Sequence, residues 1–119
     1  MKLSRLSGRK TCERVLKQGD MWKGKTFTIR WMKGAPKHPN INPAVRAVYV
    51  GTFASQKLHK SAVKRNRMRR RCREALRRAV KEQQKLPTIQ LLLTPRSRSL
   101  SCDFAEIQAD VRSFLSHVS

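Results

Sequence analysis

The most concentrated chemistry in this chain is a run of cations between Lys57 and Lys81, interrupted by a single acid, Glu74. Its basic residues are Lys57, Lys60, Lys64, Arg65, Arg67, Arg69, Arg70, Arg71, Arg73, Arg77, Arg78 and Lys81. Between Arg65 and Arg78 every cation is arginine, whose planar guanidinium binds phosphate through two parallel hydrogen bonds and stacks on bases. These residue types indicate binding to a phosphate polymer rather than cleavage of a bond.

The same stretch carries apolar residues at helical spacing. They follow the i, i+4, i+7, i+8, i+11 pattern of one helix face: Met68, Cys72, Ala75, Leu76 and Ala79. The opposite face carries Asn66, Arg67, Arg70, Arg73, Arg77 and Lys81. The pattern predicts a helix from about Ser61 to Gln84, ended by Pro87, with one face in the core and the other face basic.

Asn66 is an uncharged amide in the middle of this basic face. One interpretation is that it only lowers the local charge density. The other is that its amide makes a specific hydrogen bond to a phosphate, a base edge or a metal-bound water. Both interpretations stay open at the level of sequence.

The net charge of +21 over 119 residues is unevenly distributed. Residues 1–81 hold 24 basic and three acidic side chains, and residues 82–119 hold four of each. A field of this strength opposes compaction unless a polyanion neutralises it, so the expected partner is nucleic acid, with an anionic membrane as the competitor. Because no apolar run reaches the ~18 residues of a spanning helix and no signal peptide opens the chain, we expect one cytoplasmic domain, residues 1–119, without membrane contact.

No catalytic constellation is visible among the remaining polar residues. Glu106 and Asp110 form a helical carboxylate pair, which we expect on a solvated face away from the basic field. His59 borders the cationic stretch, but a lone exposed histidine is more often incidental. The three cysteines lack metal-ligand spacing and are expected to be reduced, small apolar side chains. We therefore expect no catalytic residue, metal or cofactor on the protein itself.

The elements that position the cationic helix can be predicted from periodicity and turn signals. A first helix over Arg9–Gln18 is expected to be capped by Ser7 and ended by Gly19. Its inward residues are predicted to be Cys12, Val15 and Leu16. The segment Lys25–Met32 alternates, with Phe27, Ile29 and Trp31 on one face, and predicts a strand.

A second strand is expected over Ala44–Ala54, paired antiparallel with the first as a long-looped hairpin. The run Thr88–Thr94 is the most apolar of the chain and predicts a buried strand. Asp103 and Glu106 form a capping box for a last amphipathic helix. The order α-β-β-α-β-α predicts an α+β sandwich in which helices pack on a small mixed sheet.

The cationic helix resembles the signature of the bacterial ribonuclease P protein subunit. In that family a run A-V-x-R-N-R-[IM]-[KR]-R-x-x-R-[EQ] forms the second helix. The matching residues here are Ala62, Val63, Arg65, Asn66, Arg67, Arg69, Arg70, Arg73 and Glu74. The order of elements also resembles the family, so that the resemblance covers nearly the whole chain and is specific at residues 62–74.

The resemblance implies a left-handed β-α-β crossover and a protein that is not itself catalytic. It implies binding to a large catalytic RNA, which holds the Mg²⁺ ions and removes the 5′ leader from precursor tRNA. The partners would be this RNA and the precursor tRNA. The RNA-binding residues would be Lys57, Lys60, Arg65, Asn66, Arg67, Arg69, Arg70, Arg73 and Arg77.

The resemblance also implies a cleft between the first helix and the sheet that holds the single-stranded leader. The aromatic residues that the family places in this helix are replaced here by Cys12 and Leu16. Base stacking, worth ~1–3 kcal/mol per base, should therefore be weaker there. Arg30 or Trp31 is expected to compensate.

Three other classes of protein share some of these features. A ribosomal or ribosome-assembly protein would also be small and basic. A DNA-binding basic-helix dimer requires leucine heptads after the basic region, and Pro87 interrupts the helix instead. A stand-alone nuclease would need the metal-binding carboxylates that this chain lacks.

Overall fold

Five strands and three α-helices follow one another along the chain. The structure, a computed structural model, describes residues 2–6, 8–37, 41–42, 44–54, 56–83 and 86–118. The elements are β1 (Lys2–Arg5), α1 (Arg9–Gln18), β2 (Asp20–Lys23), β3 (Phe27–Lys33), β4 (Ala47–Thr52), α2 (Ala62–Glu82), β5 (Ile89–Pro95), a 3-10 helix (Ser97–Leu100) and α3 (Phe104–Val118). The α+β class predicted from the sequence is therefore confirmed, with two strands, β1 and β2, that were not predicted.

The strands form one mixed sheet in the order β1-β4-β5-β3-β2. β5 is antiparallel to β3 and parallel to β4, and β1 is parallel to β4. The predicted hairpin between β3 and β4 is wrong, because β5 lies between them. β5 is buried along nearly its whole length. A strand this apolar is stable at the centre of the sheet, because both of its faces are covered there.

β4, α2 and β5 form the parallel crossover unit that the resemblance implies, and its hand stays a prediction. Ser61 begins α2 because its Oγ accepts a hydrogen bond from the Lys64 amide at 3.3 Å. The helix ends at Glu82, two residues before the predicted end. Gln84 lies outside the described residues.

One face of the sheet is covered by α2 and α3. Phe27, Ile29 and Trp31 point to this face, as their alternation predicts. They pack with the buried residues of α2, which are Met68, Cys72, Ala75, Leu76 and Val80, and of α3, which are Ile107, Val111, Phe114, Leu115 and Val118. This is the main core of the protein.

The other face of the sheet is covered by one helix, α1, and by the loop residues Ala35 and Ile41 among those that the structure describes. Val15 is fully buried against a smaller cluster that includes Leu6, Tyr49 and Leu92. Leu16 does not point inward as predicted: it is 52% exposed, because a short helix on a flat sheet buries only its central row. The Ser7 cap lies outside the described residues.

Gly19 ends α1 as predicted, for a steric reason. A Cβ at this position would collide with the carbonyl oxygen of Val15 and would lie 2.9 Å from that of Trp31. Only glycine allows the chain to leave α1 so close to β3.

The carboxylates of α3 are engaged in structural contacts. Asp110 Oδ2 accepts hydrogen bonds from the Thr26 amide at 2.7 Å and from Thr26 Oγ1 at 2.6 Å. The prediction of a solvated carboxylate pair is therefore wrong for Asp110, which ties α3 to the start of β3. Glu106 pairs with both nitrogens Nε and Nη2 of Arg98. Its carboxylate is thus engaged outside the predicted capping box.

Candidate nucleic-acid interface

The basic face of α2 points outward, as its periodicity predicts. Its exposed residues are Asn66, Arg67, Arg70, Arg73, Arg77 and Lys81. Lys57 and Lys60, in the segment before the helix, are exposed as well. The core contacts of the opposite face hold this row of cations at a fixed position on the sheet.

Two arginines of α2 bind the protein's own backbone. Arg65 donates from Nη1 to the carbonyl oxygens of His59 at 2.8 Å and Lys60 at 3.1 Å, which fixes the segment that leads into the helix. Arg71 donates to the carbonyl oxygens of Ser99 and Cys102, before α3. These guanidinium groups are positioned by the fold, and Arg71 serves to join α2 to the 3-10 helix.

Glu74 neutralises part of the basic face. Its carboxylate accepts hydrogen bonds from Arg77 and Arg78, and these two cations lower its pKa to about 2. Arg78 also lies over the Phe104 ring, 5.1 Å from the centroid. Arg77 and Arg78 are therefore less available to a polyanion than their positions in the sequence indicate.

Arg67, Arg70 and Arg73 make no hydrogen bond or ion pair with the described residues. Arg70 borders a shallow depression together with Asn66 and with Val63, whose side chain is 73% exposed. The prediction that these residues bind RNA stays a prediction. The structure adds that their polar groups face solvent without a competing partner in the described part of the chain.

A cleft of about 500 Å³ lies between α1, the ends of β4 and β5, and α2. Cys12 and Leu16 form its α1 wall, where the resemblance implies a leader cleft. Arg69 and Arg73 form its α2 wall. The Nε of Arg69 is buried without a hydrogen-bond partner among the described residues. The tertiary structure thus brings two arginines of the signature to the rim of the apolar α1 surface.

Phe53 is a residue of this cleft that sequence analysis missed. It lies one residue beyond the end of β4, lines the cleft and is 61% exposed. The sequence prediction extended the strand to Ala54 and so counted Phe53 among its apolar residues. A strand that ends at Thr52 leaves the ring outside the core, and an exposed phenylalanine beside arginines is a surface suited to base stacking.

The two compensating residues expected in the cleft, Arg30 and Trp31, lie on opposite faces of the sheet. Trp31 is only 7% exposed and packs edge-on against Phe114 in the main core, so that its prediction as a cleft residue is wrong. Adjacent residues of a strand point to opposite faces of the sheet, so Arg30 and Trp31 cannot line the same cleft. Arg30 is half-buried on the α1 side, and its Nη1 lies 3.5 Å from the carbonyl oxygen of Gly19.

The described residues contain no cluster of three histidine, cysteine or carboxylate side chains that could hold a metal ion. Cys72 is fully buried, and burial raises the pKa of its thiol to about 12, which keeps it protonated and inert. Cys12 and Cys102 are half-buried and free. No helix in the described part of the chain is long and apolar enough to cross a membrane.

The fold and this surface define a small, strongly basic α+β protein that presents free arginines beside an apolar cleft. The chain belongs to the ribonuclease P protein family, because the family model described as Ribonuclease P matches residues 1–119. This finding confirms the resemblance at residues 62–74.

Curated relatives carry the same description. The chain is 36% identical over 98 residues to the ribonuclease P protein component of Thermus oshimai, a match that covers 82% of this chain and 54% of the relative. It is 33% identical over 110 residues to the ribonuclease P protein component of Thermus thermophilus, a match that covers 92% of this chain and 56% of the relative. The chain thus spans about half the length of the curated relatives that it matches.

Solved structures share the fold. The RNase P protein from Thermotoga maritima superposes with a TM-score of 0.74 at 18% identity, over 98% of both chains. That of Staphylococcus aureus gives 0.69 at 19% identity, over 95% of this chain and 93% of the other. At such identities the likeness concerns the fold alone.

Proposed function

We propose that this protein is the RNA-binding, non-catalytic subunit of ribonuclease P. In this role it assists a catalytic RNA in the endonucleolytic removal of the 5′ leader from precursor tRNA. One observation carries the proposal: Asn66, Arg67, Arg70 and Arg73 of the family signature are exposed on α2, and Arg69 and Arg73 border the apolar cleft. A single protein surface is thereby able to contact two RNA segments.

The proposed mechanism is electrostatic. Arg67, Arg70 and Arg73 bind phosphates of the catalytic RNA and reduce the repulsion between this RNA and its substrate. The leader lies in the cleft, where Phe53 stacks on a base. The Mg²⁺ ions and the bond cleavage belong to the RNA subunit in this proposal, since the protein contributes binding alone.

The decisive experiment is reconstitution with a bacterial ribonuclease P RNA at low Mg²⁺. We expect the protein to accelerate cleavage of precursor tRNA in single-turnover reactions, because its cations replace Mg²⁺ in screening the two RNAs. The Arg70→Ala/Arg73→Ala variant should lose most of this acceleration. The control Lys17→Ala, which removes an exposed cation of α1 outside the cleft, should keep it.

Two outcomes would contradict the proposal. If the protein leaves cleavage unchanged, it is not the ribonuclease P subunit. A ribosomal role, which family membership does not favour, would then be the alternative. Cleavage by the protein after complete removal of RNA would instead indicate a nuclease.

A further inference from the structure

A second cavity lies on the other flank of α1. It has a volume of about 420 Å³ and is bounded by α1, β1, β4 and the segment before β4. Its polar lining includes Lys2, Arg5, Thr11, Asn42 and Tyr49, and none of its described lining residues is acidic. We call it the β1-side cavity, to distinguish it from the cleft beside Cys12 and Leu16.

The floor of the β1-side cavity contains a tyrosine hydroxyl that is open to a ligand. The Tyr49 residue is 93% buried, but its hydroxyl is not among the buried polar atoms without a partner, and it makes no hydrogen bond to a described residue. The hydroxyl is therefore free to donate to, or accept from, a molecule in the cavity.

The rim of the cavity is cationic and extends beyond it. Lys2 and Arg5 are exposed at the opening. A smaller depression of about 220 Å³ shares Thr11 with the cavity and is lined by Lys10, Arg14 and Lys37. Arg5 also lines the cleft, so that the two flanks of α1 meet at this residue. Cations therefore border the depressions on both flanks of α1.

We propose that the β1-side cavity is a second RNA-contact site, which takes one nucleotide of a single-stranded segment. Lys2 binds the phosphate, because it is a cation on the α1 side of β1 in a lining without acidic residues, whereas Arg5, three residues on, points to the opposite face of the sheet. The hydroxyls of Tyr49 and Thr11 complete the hydrogen bonds of the phosphate or the ribose. The apolar rim formed by Ile41 and Val45 is available to the base, and the volume lies within the usual range for small-molecule pockets.

The first test uses the full chain labelled with ¹⁵N and titrated with uridine 5′-monophosphate, with uridine as the control ligand. We expect saturable shifts of the amides of Thr11 and Tyr49, and much weaker binding of uridine. Tyr49→Phe removes only the hydroxyl oxygen and keeps the buried ring, so the fold should persist while the Kd rises about three- to tenfold. Lys2→Gln should raise the Kd at least as much.

A matched charge control separates site binding from general attraction. Lys17→Gln removes the same charge from an exposed position of α1 that lines neither cavity. The proposal is overturned if Lys2→Gln and Lys17→Gln weaken binding equally. It is also overturned if the nucleotide shifts Gly51 and Phe53 of the cleft and leaves Tyr49 unchanged.

A second test identifies the source of the nucleotide and rests on the proposed function. In the reconstituted holoenzyme, Lys2→Gln should weaken binding of the RNA subunit if that RNA fills the cavity. It should weaken only the binding of precursors with long leaders if the leader fills it. If Lys2→Gln weakens neither binding of the RNA subunit nor binding of the precursor, the cavity does not contact RNA. If only the nucleotide titration fails, the cavity proposal fails but the proposed holoenzyme role is unaffected.

Discussion

The two faces of the sheet differ in how completely helices cover them. α2 and α3 together offer 36 helical residues to one face and bury a continuous core there. α1 offers ten residues to the other face, which corresponds to a length of ~15 Å. Five strands about 4.8 Å apart make a wider surface than one such helix can cover. Open flanks therefore remain on both sides of α1, and both are lined by cations.

One face of the sheet therefore carries the main core, and the other keeps open flanks on both sides of α1. On the closed face, the charged groups beside the core are matched within the protein, as in Asp110 with Thr26 and Arg71 with the Ser99 carbonyl oxygen. The arginines on the outer surface of α2, away from the sheet, are not part of this core. Around the open face, Arg69 and Arg73 keep unmatched nitrogens beside the cleft. Substitutions on the two faces should accordingly affect different measurements.

The largest expected effect is on stability, from the closed face. Phe114 is fully buried and contacts the rings of Trp22 and Trp31 at centroid distances of 5.6 and 6.1 Å. Phe114→Ala should reduce the free energy of unfolding by about 3–5 kcal/mol, measured by urea denaturation. Phe53→Ala on the open face should change it by less than ~0.5 kcal/mol. Equal losses for the two variants would refute the division between the faces.

The next effect is on RNA affinity. Arg73→Ala should weaken binding of the catalytic RNA by about 1.5–3 kcal/mol, because a charge-assisted hydrogen bond to phosphate is lost. Arg77→Ala removes the same charge from the same helix, but Glu74 already holds that guanidinium. Its loss should therefore be smaller in filter-binding titrations at fixed salt. A larger loss for Arg77→Ala would indicate that Glu74 releases it on binding.

Phe53→Ala tests the cleft separately from the charge. We expect a loss of about 1–3 kcal/mol in affinity for precursor tRNA with a leader, from lost base stacking, and no change for the leaderless tRNA. Phe53→Tyr keeps an aromatic face and should restore the affinity. If Phe53→Ala weakens both RNAs equally, the ring does not contact the leader.

The smallest effect is expected at Asn66. If its exposed amide makes a specific hydrogen bond, Asn66→Ala should cost about 0.5–1.5 kcal/mol of affinity for the catalytic RNA. Asn66→Arg distinguishes the two interpretations, because extra charge should strengthen binding if Asn66 only lowers the charge density. Weaker binding by Asn66→Arg, together with the loss in Asn66→Ala, would establish the specific contact.

Local patterns predicted the helices and the apolar strand well. The bounds of α1 follow from its periodicity and Gly19, and Ser61 marks the start of α2. The partners of each strand could not be predicted in this way, because pairing depends on which strand is buried on both faces. β1 and β2 are four residues each and largely exposed, and such short edge strands leave too little periodicity to recognise.

The candidate interface likewise has a part that local sequence patterns predict and a part that depends on the tertiary structure. The arginine signature lies within one helix, so residues 62–74 alone predict both the helical periodicity and the protein family. The cleft depends on residues far apart in the chain, and its members were predicted in part: Cys12 and Leu16 lie there, whereas Trp31 lies in the core and Phe53 was missed. Whether a strand residue lies in the core or in the cleft depends on the register of the strand and on where the strand ends.

A cationic helix anchored on a small α+β core could be predicted from the sequence, and a polyanion is the partner that its charge leads us to expect, because charge and helical periodicity are local properties. Which arginines have partners within the protein could be read from the tertiary structure alone. Arg65 and Arg71 bind backbone carbonyl oxygens, and Arg69 and Arg73 meet the cleft. Hydrogen-bond partners up to 31 residues away decide this difference, and no spacing rule within the helix contains it.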